Sequence, residues 1–499
     1  LTMYLGIDCG TQGAKVLLWN ARTEQVVAAS YHTYGLISDR PGQKEQHPAA
    51  WLDAIKSGIQ TVIADAAISP TEIAAIGISG QQHGLVLLDE HDNLIRPAKL
   101  WCDTETVPEL TAFLARFNAE RGAPVHHFTG IHIPVAFTLA KLLWVQAHEP
   151  ESYRRIAKLF LPHEYLNYWL TGHYCAEYGD ASGTGWFDTF NRRWSKEVVD
   201  AIDPALLAKL PPLIEAHQPA GFLSASSAAI LGLPQGIPVS SGGGDNMMSA
   251  IGTGNIEPGI LTMSLGTSGT LFTHAPQQIE TQPHPDINAF CSSSGGWLPL
   301  VSTMNVTNAI NAFREVMDIP LAEFEHYLNS SEPGAGGLLC YPWLNGARLP
   351  NRPNATASLM GMTTGNFNKA NLLRSAVEGV TFKLCKGIEI FQQCGLHFDQ
   401  VRVIGGGANS RAWCQLIADI SGIEVIRPAV SDAGALGAAL QARWCAHNLQ
   451  ADGDPVALKD MMPASLREVG RDVISPRPQQ REIYRPLYAR YHDNMPLAT

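Results

Sequence analysis

The chain has 499 residues, 45% of them hydrophobic and 16% charged, with 35 basic against 46 acidic side chains for a formal charge of −11. That length exceeds what one ordinary core organises, so two large domains are expected, and the hydrophobic content argues against a disordered chain. The acidic balance argues against nucleic acid or a membrane surface as partner, so phosphate groups would have to be met by glycine-rich backbone and helix N-termini. Nine cysteines lie scattered from Cys9 to Cys445 without a CxxC pair. They fit reduced thiols in a cytoplasmic protein, not a disulfide framework or a zinc site. No apolar run of roughly eighteen residues is present, which argues against a membrane span. The first strand carries Asp8, with no basic residue before Lys15, unlike a secretory signal.

In chain order, residues 4–8 read as a strand ending in a carboxylate, 9–13 (Cys-Gly-Thr-Gln-Gly) as a hairpin turn and 14–19 as the returning strand. A third strand follows over 26–34. Trp51, Ile55, Ile59, Val62 and Ala66 share one helical face. Strand 73–79 leads through Gly80-Gln-Gln-His-Gly84 into strand 85–89, a pattern expected for a mixed sheet with helices packed on it. Helices are predicted over 138–148 and 163–170, the latter stopped by Gly172, whereas 177–185 reads as a loop without evident chemistry.

Ile237 and Val239 mark a short buried strand, after which Gly242, Gly243 and Gly244 let the backbone turn sharply before Asp245. Taken alone, this stretch is either an ordinary turn or a site. The opening pattern then returns: strand 261–265, turn Gly266-Thr-Ser-Gly269 and strand 270–273. The two G-T-x-G hairpins stand 256 residues apart, and Ile76-Gly-Ile-Ser-Gly80 has an echo in Val403-Ile-Gly-Gly-Gly407. Such a duplication implies two similar domains, expected over 1–246 and 247–499, with a cleft between them. Later come a long helix over 371–393 and a strand over 401–404, with Gly405-Gly-Gly-Ala-Asn-Ser410 opening helix 411–420. Strand 423–426 follows, and 431–434 caps a helix rich in Ala and Gly. Beyond about 450 the periodicity fades.

No P-loop, HExxH or GxSxG sequence is present. Two G-T-x-G turns, a glycine-rich strand-to-helix junction and two strand-end carboxylates are what an ATP cleft needs. The candidate nucleotide-binding set is Gly10, Thr11, Gln12, Lys15, Gly266, Thr267, Gly406, Gly407 and Asn409. Amides and hydroxyls of the turns would meet phosphate oxygens, and the glycines after residue 404 would admit adenosine close to the backbone. Asp8 is the candidate ligand for Mg²⁺, through water, since magnesium keeps much of its hydration shell.

These motifs together resemble the FGGY carbohydrate kinases. The resemblance rests on Gly6-Ile-Asp-Cys-Gly-Thr-Gln-Gly13, Gly80-Gln-Gln-His-Gly84, Trp101-Cys-Asp103, Lys141-Leu-Leu-Trp144, Gly242-Gly-Gly-Asp-Asn246, Leu265-Gly-Thr-Ser-Gly269 and Gly405-Gly-Gly-Ala408. Segment 357–378 also fits the family's second signature, while the first departs at its edges, where Ala136 and Ala147 stand. The resemblance spans about residues 4–445. It implies an α/β fold of two actin-like, hexokinase-like (ribonuclease H-like) domains with ATP and sugar between them. It further implies Asp245 as general base, His83 as a sugar contact, and Gln82, Trp101, Asp103 and Asn246 as further contacts. Glycerol kinases carry Arg-Glu where Gln82-His83 stand, so glycerol is disfavoured, and the Gln-His-Gly turn resembles members that phosphorylate D-xylulose. Bland readings coexist: His83 as a core histidine, Trp101 and Trp144 as packing aromatics, Asp103 as a turn cap. Rival functions are a kinase for another sugar or polyol, such as ribulose, gluconate or glycerol, and a non-catalytic ATP-binding protein on the same fold. A homodimer is compatible with the sequence.

Overall fold

The computed structural model of the chain describes residues 2–281, 284–467 and 472–497. β1 (Met3–Cys9), β2 (Gly13–Asn20) and β3 (Gln25–Thr33) form an antiparallel meander. β1 and β2 are buried almost throughout, whereas β3 alternates exposed and half-buried residues, as an edge strand does. α1 (Pro48–Ala66) turns Trp51, Ile55, Ile59 and Val62 inward, the face its spacing predicts. β4 (Ile73–Gly80) returns parallel to β1, in register from Tyr4 against Ala75 to Cys9 against Gly80.

α2 (Thr138–His148), α3 (Pro162–Thr171) and α4 (Tyr178–Ala181) follow. β5 (Pro219–Phe222) lies antiparallel to β6 (Pro238–Ser240), which, with β7 (Gly243–Gly244), runs parallel to β4. α5 (Asp245–Gly252) starts directly at the end of β7. The predicted strand over 85–89 exists as Val86–Leu88, but it pairs with Lys158–Phe160 and stands outside the main sheet.

The second half repeats the plan. β8 (Ile260–Leu265) and β9 (Gly269–Thr273) form the second hairpin, and β10 (Ile287–Cys291) and β11 (Trp297–Thr303) extend it antiparallel. After α6 (Lys369–Gln393), β12 (Gln400–Ile404) lies parallel to β8 as β4 does to β1. α7 (Arg411–Ser421), β13 (Glu424–Ile426), α8 (Ala433–Gln450), β14 (Val473–Ile474) and α9 (Pro478–Asp493) complete it. The orders are β5-β6-β4-β1-β2-β3 and β14-β13-β12-β8-β9-β11-β10. Both place an antiparallel run, three-stranded in the first sheet and four-stranded in the second, beside two parallel strands and an antiparallel edge. The molecule is therefore a duplicated α/β fold of the actin-like, hexokinase-like (ribonuclease H-like) kind.

α9 contradicts the fading pattern expected after residue 450. Its inward anchors are Tyr484 and Tyr491, two turns apart on an otherwise polar helix that also holds Pro486. Both rings fill the core, and the Tyr484 hydroxyl donates to Glu378 and accepts from Arg374, so an apolar periodicity does not register them.

α8 belongs to the second half in sequence but lies on the first half's sheet. Glycines make this possible. A β-carbon at Gly6 of β1 would stand 1.9 Å from the Ala435 carbonyl oxygen, and one at Gly77 of β4 2.0 Å from that of Ala438. The same helix meets α5 through Gly437 and Gly252, where β-carbons would come within 1.8 Å of the Met248 oxygen and 1.9 Å of the Ala433 oxygen.

Candidate active site

The ends of β1, β4 and β7 lie side by side, because Asp8 and Gly243 both pair with Ser79. That register sets Asp8, Ser79 and the Gly-Gly-Gly-Asp segment in one row at the sheet's carboxyl edge, where open α/β sheets hold ligands. Ser79 Oγ donates to Asp8 Oδ1 at 2.8 Å. Asp8 also faces the first turn of α8, where a β-carbon on Gly434 would sit 2.9 Å from its Oδ2. Asp245 occupies the first turn of α5, and its Oδ1 accepts the Asn246 N–H at 2.8 Å. Two carboxylates thus meet two helix N-termini, which favour negative charge. Burial nevertheless pushes both up: Asp8 above its ordinary value, against the opposing hydrogen bond from Ser79 and charge of Lys15, and Asp245 to about 8, with the negative charges of Asp8 and Asp180 adding to burial. A carboxyl of that affinity is poised to take a proton near neutral pH.

His83 sits at positive φ (70°), a left-handed conformation rare outside glycine. Its ring stacks on Phe137 at 4.7 Å, and Nδ1 meets the Gly183 carbonyl at 2.9 Å. Burial, with the Lys141 and Arg348 charges, lowers its pKa to about 3. The imidazole is therefore neutral, Nδ1–H donates to Gly183, and Nε2 is left as an acceptor. Asn246 Nδ2 donates to Gln82 Oε1 at 2.6 Å, and Asn246 Oδ1 accepts from Thr270 Oγ1 at 3.3 Å, so Asn246 ties the two halves together. The Gln82 amide nitrogen is buried without a partner.

Trp101 and Asp103 depart from the expected sugar-contact set in different ways. Trp101 is 39% exposed, and its Nε1 donates to Thr11 Oγ1 at 2.9 Å. Asp103 is 0% exposed, and both oxygens are taken. Oδ2 accepts Lys44 N–H and lies 2.9 Å from Lys99 Nζ, and Oδ1 accepts Glu105 N–H. Asp103 thus belongs to a buried charge cluster in this structure. Glu45, Asp103 and Glu105 cluster as a metal site would, but the ammonium of Lys99 stands among them as their cation.

At the second turn, the Gly266 and Thr267 carbonyls accept N–H groups of Thr307 and Val306, and Thr267 is exposed. The Thr11 hydroxyl instead donates to Gln81 Oε1 at 3.1 Å while accepting from Trp101, so the backbone of that turn is what it offers a ligand. Gly10 closes the turn with its N–H on the Gly13 carbonyl, and Gln12 is exposed. Lys15 pairs with Asp432 at 3.2 Å across the halves, which occupies Asp432's carboxylate at the start of α8. Gly406 and Asn409 are exposed, whereas Gly407 is buried, with Trp413 where a β-carbon would go.

The segment read as a loop holds residues the expectation missed. Glu177 accepts the Gly179 and Asp180 N–H groups and so starts α4. His163 of α3 bridges Asp180 Oδ2, through Nδ1, and the Ser241 carbonyl, through Nε2 at 3.2 Å. Asp180 Oδ1 has no partner and faces the α-carbon of Gly244. From the other side, Gln441 of α8 accepts Gly242 N–H at 2.8 Å and donates to Gly242 O at 3.1 Å. The strand before Asp245 is held on both faces. Only the Glu-x-x-Asp spacing hinted at this, and it is too common to have been decisive.

Two buried carboxyls at the carboxyl edge of a sheet, a pair of glycine turns and a row of polar side chains, carried on a duplicated α/β fold, are features of a two-domain carbohydrate kinase. Residues 3–252 match the FGGY family of carbohydrate kinases, N-terminal domain, and residues 261–446 its C-terminal domain. The chain belongs to the FGGY family of carbohydrate kinases. It is 42% identical over 448 residues to a xylulose kinase of Haemophilus influenzae, covering 89% of this chain and 90% of the relative. It is 33% identical over 496 residues to a xylulose kinase of Bacillus subtilis, covering 98% and 95%. A crystal structure of a xyloylose kinase from Brucella ovis superposes with a TM-score of 0.88 at 31% identity, covering 99% of each chain.

Proposed function

We propose that this kinase transfers the γ-phosphoryl group of ATP to the terminal hydroxyl of D-xylulose, giving D-xylulose 5-phosphate, with Asp245 as general base. The observation that carries the chemistry is the position of Asp245: a carboxyl with a pKa of about 8 at the end of β7, in the same row as Asp8. The relatives' names carry the substrate. Neutral His83 accepts from a sugar hydroxyl through Nε2, and the unpartnered Gln82 amide is a donor for another sugar oxygen. Asp245 takes the hydroxyl proton as the oxygen attacks in line. The Gly266–Gly269 turn offers backbone and the Thr267 hydroxyl to the phosphates, and Gly406 and Asn409 lie open to the adenosine.

Asp8 fits Mg²⁺: it is a hard oxygen donor whose neighbourhood holds Asp245 and Asp432 against Lys15, a local excess of negative charge. When bound, the ion supplies neutralisation of charge on the phosphates. Nine unpaired cysteines suit a reducing cytoplasm. Among the described residues no helix is long and apolar enough to cross a membrane.

A panel of D-xylulose, D-ribulose, gluconate and glycerol with coupled ADP detection tests the substrate. D-xylulose is expected to give the highest kcat/KM, and a rival preferred about tenfold would overturn the assignment. ADP release without sugar at a comparable rate would count against a closing cleft. Thr267→Val removes one hydroxyl from a charged ligand and should raise the KM for ATP about tenfold, with the KM for sugar unchanged.

A further inference from the structure

Arg348 stands in the loop after Trp343, on the second half of the chain, and is half-buried. Its Nη1 donates to Ser302 Oγ at 3.0 Å. Among the described residues no carboxylate lies within ion-pair distance of it. One hydroxyl occupies a single donor of the guanidinium, and its remaining N–H donors stay open rather than buried without a partner, free to meet oxygens of a ligand.

Its location gives those open donors a chemical setting. Ser302 of β11 is the cross-strand partner of Thr270 in β9. Thr270 donates to Asn246, and Asn246 to Gln82, the residue before His83. A continuous polar line thus runs from the acceptor side of the first half to Arg348 on the second. The guanidinium is also near enough for its charge to act on the His83 ring.

The geometry points to Arg348 as a substrate-binding residue that reads the ketone oxygen of the acceptor opposite His83. This rests on the reading of the cleft as a ketose kinase site. Arginine only donates, and neutral His83 Nε2 only accepts, so the two together require an acceptor oxygen and a hydroxyl from the same molecule. A ketose meets both demands. The corresponding alditol replaces the carbonyl with a second hydroxyl, a poorer acceptor that brings a proton toward a cation. Arg348 would therefore select ketose over alditol, a task that neither Asp245 nor the phosphate turns perform.

The test compares D-xylulose with xylitol in the full-length enzyme and its Arg348→Met and Arg348→Lys variants. In Arg348→Met, kcat/KM for D-xylulose is expected to fall about 10- to 100-fold, chiefly through KM, while xylitol changes less than about threefold and the KM for ATP stays constant. Arg348→Lys keeps the charge without the fork and should fall between, which covers the case in which the methionine variant folds poorly. Equal losses for both acceptors, with a lower melting temperature, would make Arg348 a brace for β11 and overturn the inference. A rise in KM for ATP alone would reassign it to the phosphates and overturn it equally. If the wild-type enzyme ignores D-xylulose, the underlying reading of the substrate fails instead. Arg348 is then judged on the acceptor the enzyme does use against that acceptor's reduced analogue.

Discussion

Asp245→Asn is expected to lower kcat for sugar phosphorylation by about 10²- to 10⁴-fold, the range for loss of a general base, while ATP still binds. The amide keeps the shape and the contact with Asn246 N–H but cannot take the hydroxyl proton. Phosphorylation near the wild-type rate would remove Asp245 from its role. The pH dependence gives an independent readout. Asp245 has a pKa of about 8, so below that it holds its own proton, and kcat/KM should climb as pH approaches 8. In the asparagine variant the residual activity should lack that rise. Stability moves in a linked way. The folded state binds this proton more tightly than the unfolded chain, whose carboxyl titrates near about 4. Wild-type stability is thus fully present below about pH 4 and is eroded as pH rises through 8. The variant escapes that erosion, so its advantage in melting temperature should grow from about pH 4 to pH 8 and then level off. A constant difference across that window would show that Asp245 titrates normally.

The features legible in the sequence share a physical cause. Strands β1, β2, β8 and β9 are short apolar runs flanking Gly-Thr-x-Gly, and both signals are local. Asp8 and Asp245 could be placed because each ends such a run. What the sequence left dark depends on distant partners. Asp103 looks like a cleft carboxylate in its Trp-Cys-Asp setting, and only the folded arrangement with Lys99 and Lys44 shows that its oxygens are spoken for. His163 and Asp180 are 17 positions apart on different helices, and their function as a support for Ser241 and Gly244 depends on β7 lying over them. Arg348 sits in a loop with no periodicity, and its interest comes from its place beside Ser302, which only the fold supplies. Local patterns report elements and their ends; they do not report which polar side chains end up paired.

The Ala- and Gly-rich start of α8 was readable as a close-packing surface, and its consequence is the second large effect expected. Gly437→Ala should destabilise the protein by about 3 kcal/mol or more, at the upper end of overpacking, because the new methyl would lie 1.8 Å from the Met248 carbonyl oxygen. That oxygen is backbone, so no side chain can swing away, and α5 and α8 must separate. Asp245 opens α5, and Asp8 lies against the first turn of α8, so separation moves the base relative to the phosphate side. A shift of about 1 Å at a reacting centre costs on the order of 10²-fold in rate. Any folded Gly437→Ala enzyme should therefore show a depressed kcat as well as a lowered melting temperature. Gly35→Ala is the control, since nothing lies within 4 Å of a β-carbon there, and it should alter neither. A Gly437→Ala enzyme with wild-type kcat and a lowered melting temperature would show that the seam supports the fold alone. Wild-type values for both would mean that the helices yield without cost. The combined loss would make this glycine contact the joint that holds base and phosphate turns in register across two halves of one chain.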